Sequence, residues 1–194
     1  AYPALRPSIV PSLLTVRKHN ADNGVNNLKL AELGSVFTLT GDTHQETTEL
    51  ALVVDANDEE GVGVIRGVVD RICEVLTSSG SVHIEPVDET PWLEPGGNIM
   101  LDGQCIGYVG RLHHSLQKTW GLPCCVHVAQ LHISPLLAAY PPDIASIPLP
   151  TQPAIERDLS LIVDDTMQWN DVEQTIAALS LDHLEAISFV TTFK

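Results

Sequence analysis

The dipeptide Asp102-Gly103, set between Ile99-Met100-Leu101 and Ile106-Gly107-Tyr108-Val109, constrains the fold more than any other stretch of this chain. Asp-Gly accepts the positive φ of a type I′ turn, and apolar runs on both sides of such a turn read as an antiparallel hairpin. Other strand-sized segments lie around it: Leu28–Leu39, with Gly34 as a bulge or close-approach point, then Leu50–Val54 and Cys125–Leu131. Helical spacing is clearest at Val62, Ile65, Val68, Val69, Ile72, Val75 and Leu76, with Ser78-Ser79-Gly80 as the stop. Ile9, Leu13 and Val16 mark an earlier amphipathic helix opened by Pro7 and Ser8, and His114 to Trp120 a short one. Strands joined by hairpins and isolated helices, without a βαβ rhythm, predict an α+β fold with a largely antiparallel sheet.

Five prolines (Pro141, Pro142, Pro148, Pro150 and Pro153) follow Tyr140 within a short span that cannot hold a regular helix or ladder. The expected division is therefore residues 1–140, a linker at 141–153, and a second unit at 154–194. That second unit reads as strand Leu159–Val163, helix Asn170–Leu179 and strand Leu184–Thr191, with Asp171 and Glu173 expected in the helix's first turn. Such a β-α-β succession is half of a ferredoxin-like unit. The opening Ala-Tyr-Pro, with no Met and no basic or apolar leader, reads as the start of a piece of a longer protein.

Charge narrows the function. A net charge of −15 works against non-specific binding to a phosphate backbone. From Pro141 onward only Arg157 and Lys194 are basic, against nine acidic residues, so the second unit is poorly suited to hold an RNA stem by itself. No apolar run approaches the roughly 20 residues needed to span a bilayer. Cys73, Cys105, Cys124 and Cys125 lack the spacing of a disulfide framework, which points to a reduced, cytoplasmic setting. His113, His114 and His127 with Cys124 and Cys125 can be drawn as a zinc site or a Cys–His nucleophile pair. Adjacent cysteines without a second paired knuckle, and without an oxyanion-hole motif, argue against both, and no metal site or catalytic residue is expected. Neither a dinucleotide fingerprint nor a P-loop is present.

Three segments in order carry a family likeness. Leu5-Arg6-Pro7-Ser8-Ile9-Val10-Pro11-Ser12-Leu13-Leu14, with Asn20 and then Ala31-Glu32-Leu33-Gly34-Ser35-Val36-Phe37, resembles the opening of the catalytic-like domain of phenylalanyl-tRNA synthetase beta subunits. Asp102-Gly103 with Ile106-Gly107-Tyr108-Val109-Gly110-Arg111-Leu112-His113 is similar to that domain's hairpin motif. Pro153 to Val163, with Arg157-Asp158 at its centre, is similar to the start of the family's anticodon-binding domain, and Trp169 follows where an aromatic is usual. Departures exist: Glu94-Pro95-Gly96-Gly97 stands where the family usually has His-Pro-Gly-Arg, and the segment before Arg66-Gly67 is short.

The resemblance implies a class II synthetase-like sheet with flanking helices, followed by a partial ferredoxin-like β-α-β unit. It implies a non-catalytic assembly and tRNA-positioning role in a heterotetrameric phenylalanine-tRNA ligase. The alpha subunit, a second beta subunit and phenylalanine tRNA are the implied partners. ATP and magnesium would act in the parent complex, with no cofactor in this chain. It also implies that Ile9, Leu13 and Val16 face a partner subunit, where periodicity alone is equally satisfied by a private core helix. Arg157 and Asp158 are read as a domain-joint pair or an RNA-side contact. The alternative from another class is a free-standing ligand-binding or regulatory module that reuses a synthetase-like sheet.

Overall fold

A computed structural model describes residues 4–57, 60–77, 82–87, 90–122, 125–141, 153–164 and 166–192. The chain separates into one unit spanning Ala1–Ala145 and another spanning Ser146–Lys194. Ser78-Ser79-Gly80, Cys124 and most of the proline-rich stretch lie outside the described residues.

In the first unit, α1 (Val10–Asp22) leads into β1 (Lys29–Thr40), β2 (Thr43–Asp55), α2 (Gly61–Leu76) and β3 (Val82–Val87). Then come β4 (Leu93–Leu101), β5 (Gln104–Leu112), α3 (His114–Thr119), β6 (Val126–His132) and α4 (Ile133–Ala138). The six strands form one sheet in the order β1-β2-β6-β5-β4-β3, and every neighbouring pair is antiparallel. The hairpin expected at Asp102-Gly103 forms as a two-residue turn, with φ of 49° and 78° at those residues. An extra residue near Ile106 shifts the β4–β5 register, so Ile106 joins the same core as Val109.

Both faces of the sheet are covered near its middle. On one, α2 buries Gly61, Ile65, Val69 and Cys73 at successive turns against Leu52, Ile99, Ala129 and Leu131. On the other, α1 presents Val10, Leu13 and Leu14 to Val36, Val53, Leu112 and Val128. Between them β6 is buried from Val126 to Leu131, which explains its nearly continuous apolar run. The α1 stripe carries one charge inward: Arg17 makes a two-pronged contact with Asp55, at 2.9 Å (Nε to Oδ1) and 3.0 Å (Nη2 to Oδ2), and both side chains are almost fully buried. The backbone N–H of Leu28 also donates to Asp55 Oδ2. One carboxylate thereby ties α1, the start of β1 and the end of β2.

Two elements were not legible in the sequence. β3 contains Pro86, which argues against a strand, yet β3 is an outer strand where a missing N–H is tolerated. α4 is six residues long with Pro135 in its first turn. β2 also begins seven residues before its apolar run, because Thr43–Glu49 pair with β1 through backbone groups alone.

In the second unit the helix forms as α5 (Trp169–Ala178), closed by a capping box between Gln168 and Asp171. Glu173 falls beyond the first turn, contrary to expectation. The described residues at 159–163 and 184–191 carry no strand, so the ferredoxin-like reading is not matched by ladders here. In a split β-α-β unit the two strands are separated by a third, and the described residues of this unit carry no strand. Phe189 nevertheless packs edge-on against Trp169, ring centres 5.6 Å apart.

Asp55→Ala strands a buried guanidinium and is expected to cost about 3–5 kcal/mol in urea unfolding. Replacing both partners, as Arg17→Met with Asp55→Leu, should recover most of that loss. Equal destabilisation by the double change would contradict the assignment.

Candidate functional site

Polar side chains gather on the α1 side of the sheet. They come from three adjacent strands: Glu49 on β2, Gln130 on β6 and Tyr108 on β5, with Tyr108 directly across from Gln130. Gln130 Nε2 donates a short hydrogen bond to Glu49 Oε2, and both side chains are buried. Gln130 Oε1 accepts from Ser8 Oγ at 2.7 Å and from the Ile9 N–H at 3.2 Å. The other Glu49 oxygen lies 2.9 Å from His132 Nδ1. The segment leading into α1 therefore plugs the polar centre of the face. Trp92 packs edge-on against Tyr108, ring centres 4.5 Å apart, on the same side.

Burial pushes the Tyr108 phenol up to about 12, a rise opposed by its hydrogen bond with Ser8 and reinforced by the Glu49 carboxylate. Burial, then the Asp70 carboxylate, raises the Cys73 thiol to about 11, which leaves it protonated and inert as a nucleophile near neutral pH.

Phosphates of ATP need cationic side chains, and magnesium needs accessible carboxylates. The six arginines are engaged elsewhere. Arg6 pairs with Glu32 and donates to Ser35 O, and Arg17 is locked to Asp55. Arg66 and Arg71 pair with Asp70 and Glu74 along α2, Arg111 donates to Glu94 O, and Arg157 to Glu156 O. The carboxylate at the polar centre, Glu49, is buried and already bonded. These residues do not fit ATP or its metal.

The residues singled out from the sequence separate. Ile9 and Leu13 are 0 % and 5 % exposed and pack within the unit's own core; the i, i+4 stripe they share is the face α1 lays on the sheet. Val16, 46 % exposed, lies outside it. Arg157 and Asp158 are both exposed in the second unit. His127 faces the α2 side beneath Gly61, where a Cβ would collide with the imidazole ring. The His/Cys set does not assemble among the described residues; His113 and His114 gather instead around Glu94, which no motif joins to them. Sequence reading also missed Glu49 and Gln130, since isolated polar residues in strands carry no motif.

Residues 1–133 match the family model for the phenylalanyl tRNA synthetase beta chain CLM domain, more than half of the chain. The chain belongs to the phenylalanyl-tRNA synthetase beta chain family. The phenylalanine-tRNA ligase beta subunit of Geobacillus kaustophilus is 28 % identical over 204 residues, covering 98 % of this chain and 25 % of its own length. That of Halalkalibacterium halodurans is 30 % identical over 190 residues, covering 90 % and 23 %. The chain thus spans about a quarter of the curated relatives it matches. Among solved structures, a pyrrolysyl-tRNA synthetase from Desulfitobacterium hafniense superposes with a TM-score of 0.58 at 16 % identity, covering 68 % of this chain and 47 % of that one. The six-stranded antiparallel sheet is accordingly of the class II synthetase kind.

Because the Tyr108 phenol stays protonated in the folded chain after its ordinary value of 10 is passed, the stability it contributes is whole below pH 10 and lost as pH rises toward about 12. Tyrosinate absorbance should show a late step near 12 that Tyr108→Phe removes. An unchanged titration curve in that variant would show that the phenol is not buried.

Proposed function

We propose that this chain is a non-catalytic assembly and tRNA-positioning part of a phenylalanine-tRNA ligase, whose whole complex joins phenylalanine to its tRNA with ATP and magnesium in the cytoplasm. The observation that carries this reading is the plugged polar centre: Glu49, Gln130, Ser8 and the Ile9 N–H satisfy one another where a catalytic sheet would hold substrate. A site whose donors and acceptors are already paired has little to offer a transition state. Membership of the beta chain family supports the partners: an alpha subunit, a second beta subunit and, through further domains, phenylalanine tRNA.

The docking surface we assign to the alpha subunit is the β1–β2 ribbon. Leu33 and Leu39, 62 % and 63 % exposed, with half-buried Phe37, alternate along the β1 face opposite Val36 and share one side of the strand. Val16 on α1, also exposed, belongs to the helix on the other side of the sheet. Residues 154–194 we read as the first half of a ferredoxin-fold anticodon-binding domain joined through 141–153, with Arg157 and Asp158 at its RNA or domain-joint side. The strong acidic excess there means that most phosphate contacts come from other parts of the complex.

Sedimentation of this chain with a phenylalanine-tRNA ligase alpha subunit should show a complex that Leu33→Asp and Leu39→Asp abolish and Lys118→Ala leaves intact. Both aspartates lie on exposed positions, so circular dichroism should stay unchanged. No association of the parent chain, or association indifferent to both changes, would refute the assembly role. Leu13→Asp is uninformative, since it would unfold the core.

A further inference from the structure

The corner where β4 begins and β5 ends gathers three potential metal ligands from separate parts of the chain. Glu94 Oε2 lies 3.2 Å from His113 Nε2 and 3.3 Å from His114 Nδ1. The imidazoles lie side by side, ring centres 4.2 Å apart and tilted by 39°. The ligand atoms of all three residues fall within 4.8 Å of one another. From these distances we infer that Glu94, His113 and His114 form a binding site for a first-row divalent transition ion of the zinc kind, with water completing the shell.

Spacing is the first argument. Tetrahedral ligands held at roughly 2.0–2.1 Å from zinc stand about 3.3–3.4 Å apart, which is the separation already present between Glu94 Oε2 and each imidazole nitrogen. One carboxylate with two imidazoles is also a donor set that suits zinc and its neighbours better than magnesium or calcium, which prefer oxygen alone.

The second argument is pre-organisation. The His113 N–H donates to Trp92 O at 2.8 Å, and Arg111 Nε donates to Glu94 O at 2.6 Å. These bonds fasten the two ligand-bearing segments to each other across the β4–β5 pair, where Leu93 opposes Leu112. His113 Nδ1 lies 2.7 Å from Ser115 Oγ, an acceptor for the ring's second N–H, as is usual for a metal-bound imidazole. Without metal, the Ser115 N–H also approaches that nitrogen at 3.3 Å as a helix cap. Metal binding at Nε2 would settle the tautomer with Nδ1–H directed to Ser115 Oγ.

The third argument is access and charge. His114 and Glu94 are exposed, so an ion can enter and keep water ligands, and the net charge of −15 concentrates cations around the chain. The site shares no ligand residue with the Glu49–Gln130 group and does not depend on the assembly role. It differs from the His/Cys grouping that the sequence suggested, because it uses no sulfur.

Titrating this chain with zinc chloride by calorimetry, and recording the spectrum of its cobalt form, tests the site. We expect one equivalent bound, weak cobalt d–d bands and no thiolate charge-transfer band. His113→Ala, His114→Ala and Glu94→Gln should each weaken binding by roughly 10–100-fold or more, the range that loss even of an outer-shell partner produces. His114 is exposed, so its variant tests the site without threatening the fold. No saturable binding, binding unchanged in His114→Ala, or a thiolate band assigning the ion to cysteine would each overturn the inference.

Discussion

Gln130 is a polar side chain in the middle of a buried strand, and the order of the sheet's α1 face follows from how its amide is satisfied. Its carbonyl oxygen receives Ser8 and the Ile9 N–H, and its amide nitrogen reaches Glu49. A buried amide left without partners costs about 1–3 kcal/mol, so each of these contacts holds a neighbour in place. Ser8 is thereby drawn over the sheet, and α1 starts at the point from which Val10, Leu13 and Leu14 can reach Val53 and Val128. Glu49 in turn is held by Gln130 and His132, a buried acidic side chain accommodated by these contacts and not by an arginine.

The same constraint supports our proposal that this sheet is non-catalytic. The polar groups of the α1 face are turned toward one another. Arg17, which would be a natural phosphate ligand elsewhere, is held within the molecule by Asp55 and joins helix to sheet. In both places charged and polar groups serve packing: Arg17 with Asp55, and Glu49 with Gln130.

Much of the fold could be read from local chemistry. Asp102-Gly103 specified its turn, and the Ile65, Val69, Cys73 spacing specified α2, because in both cases backbone preference and burial agree. Gly34, expected to be a close-approach point, lies beneath the Arg6 guanidinium. What escaped were features decided at long range. Pro86 hid an outer strand, and the segments expected as strands beside α5 carry none among the described residues. Ile9 and Leu13 looked equally suited to a core or an interface until the sheet was in view. Glu49, Gln130 and Glu94 lie far in sequence from the residues they meet, so no spacing rule could have joined them.

The central claim, that the polar face is closed by its own groups, meets its most direct test in calorimetric titration of this chain with a non-hydrolysable phenylalanyl-adenylate analogue. The account predicts no saturable heat at any concentration at which the chain stays folded. Saturable binding that disappears in Gln130→Leu would contradict it, because the ligand would then be occupying the place that Ser8 and Glu49 are held to fill.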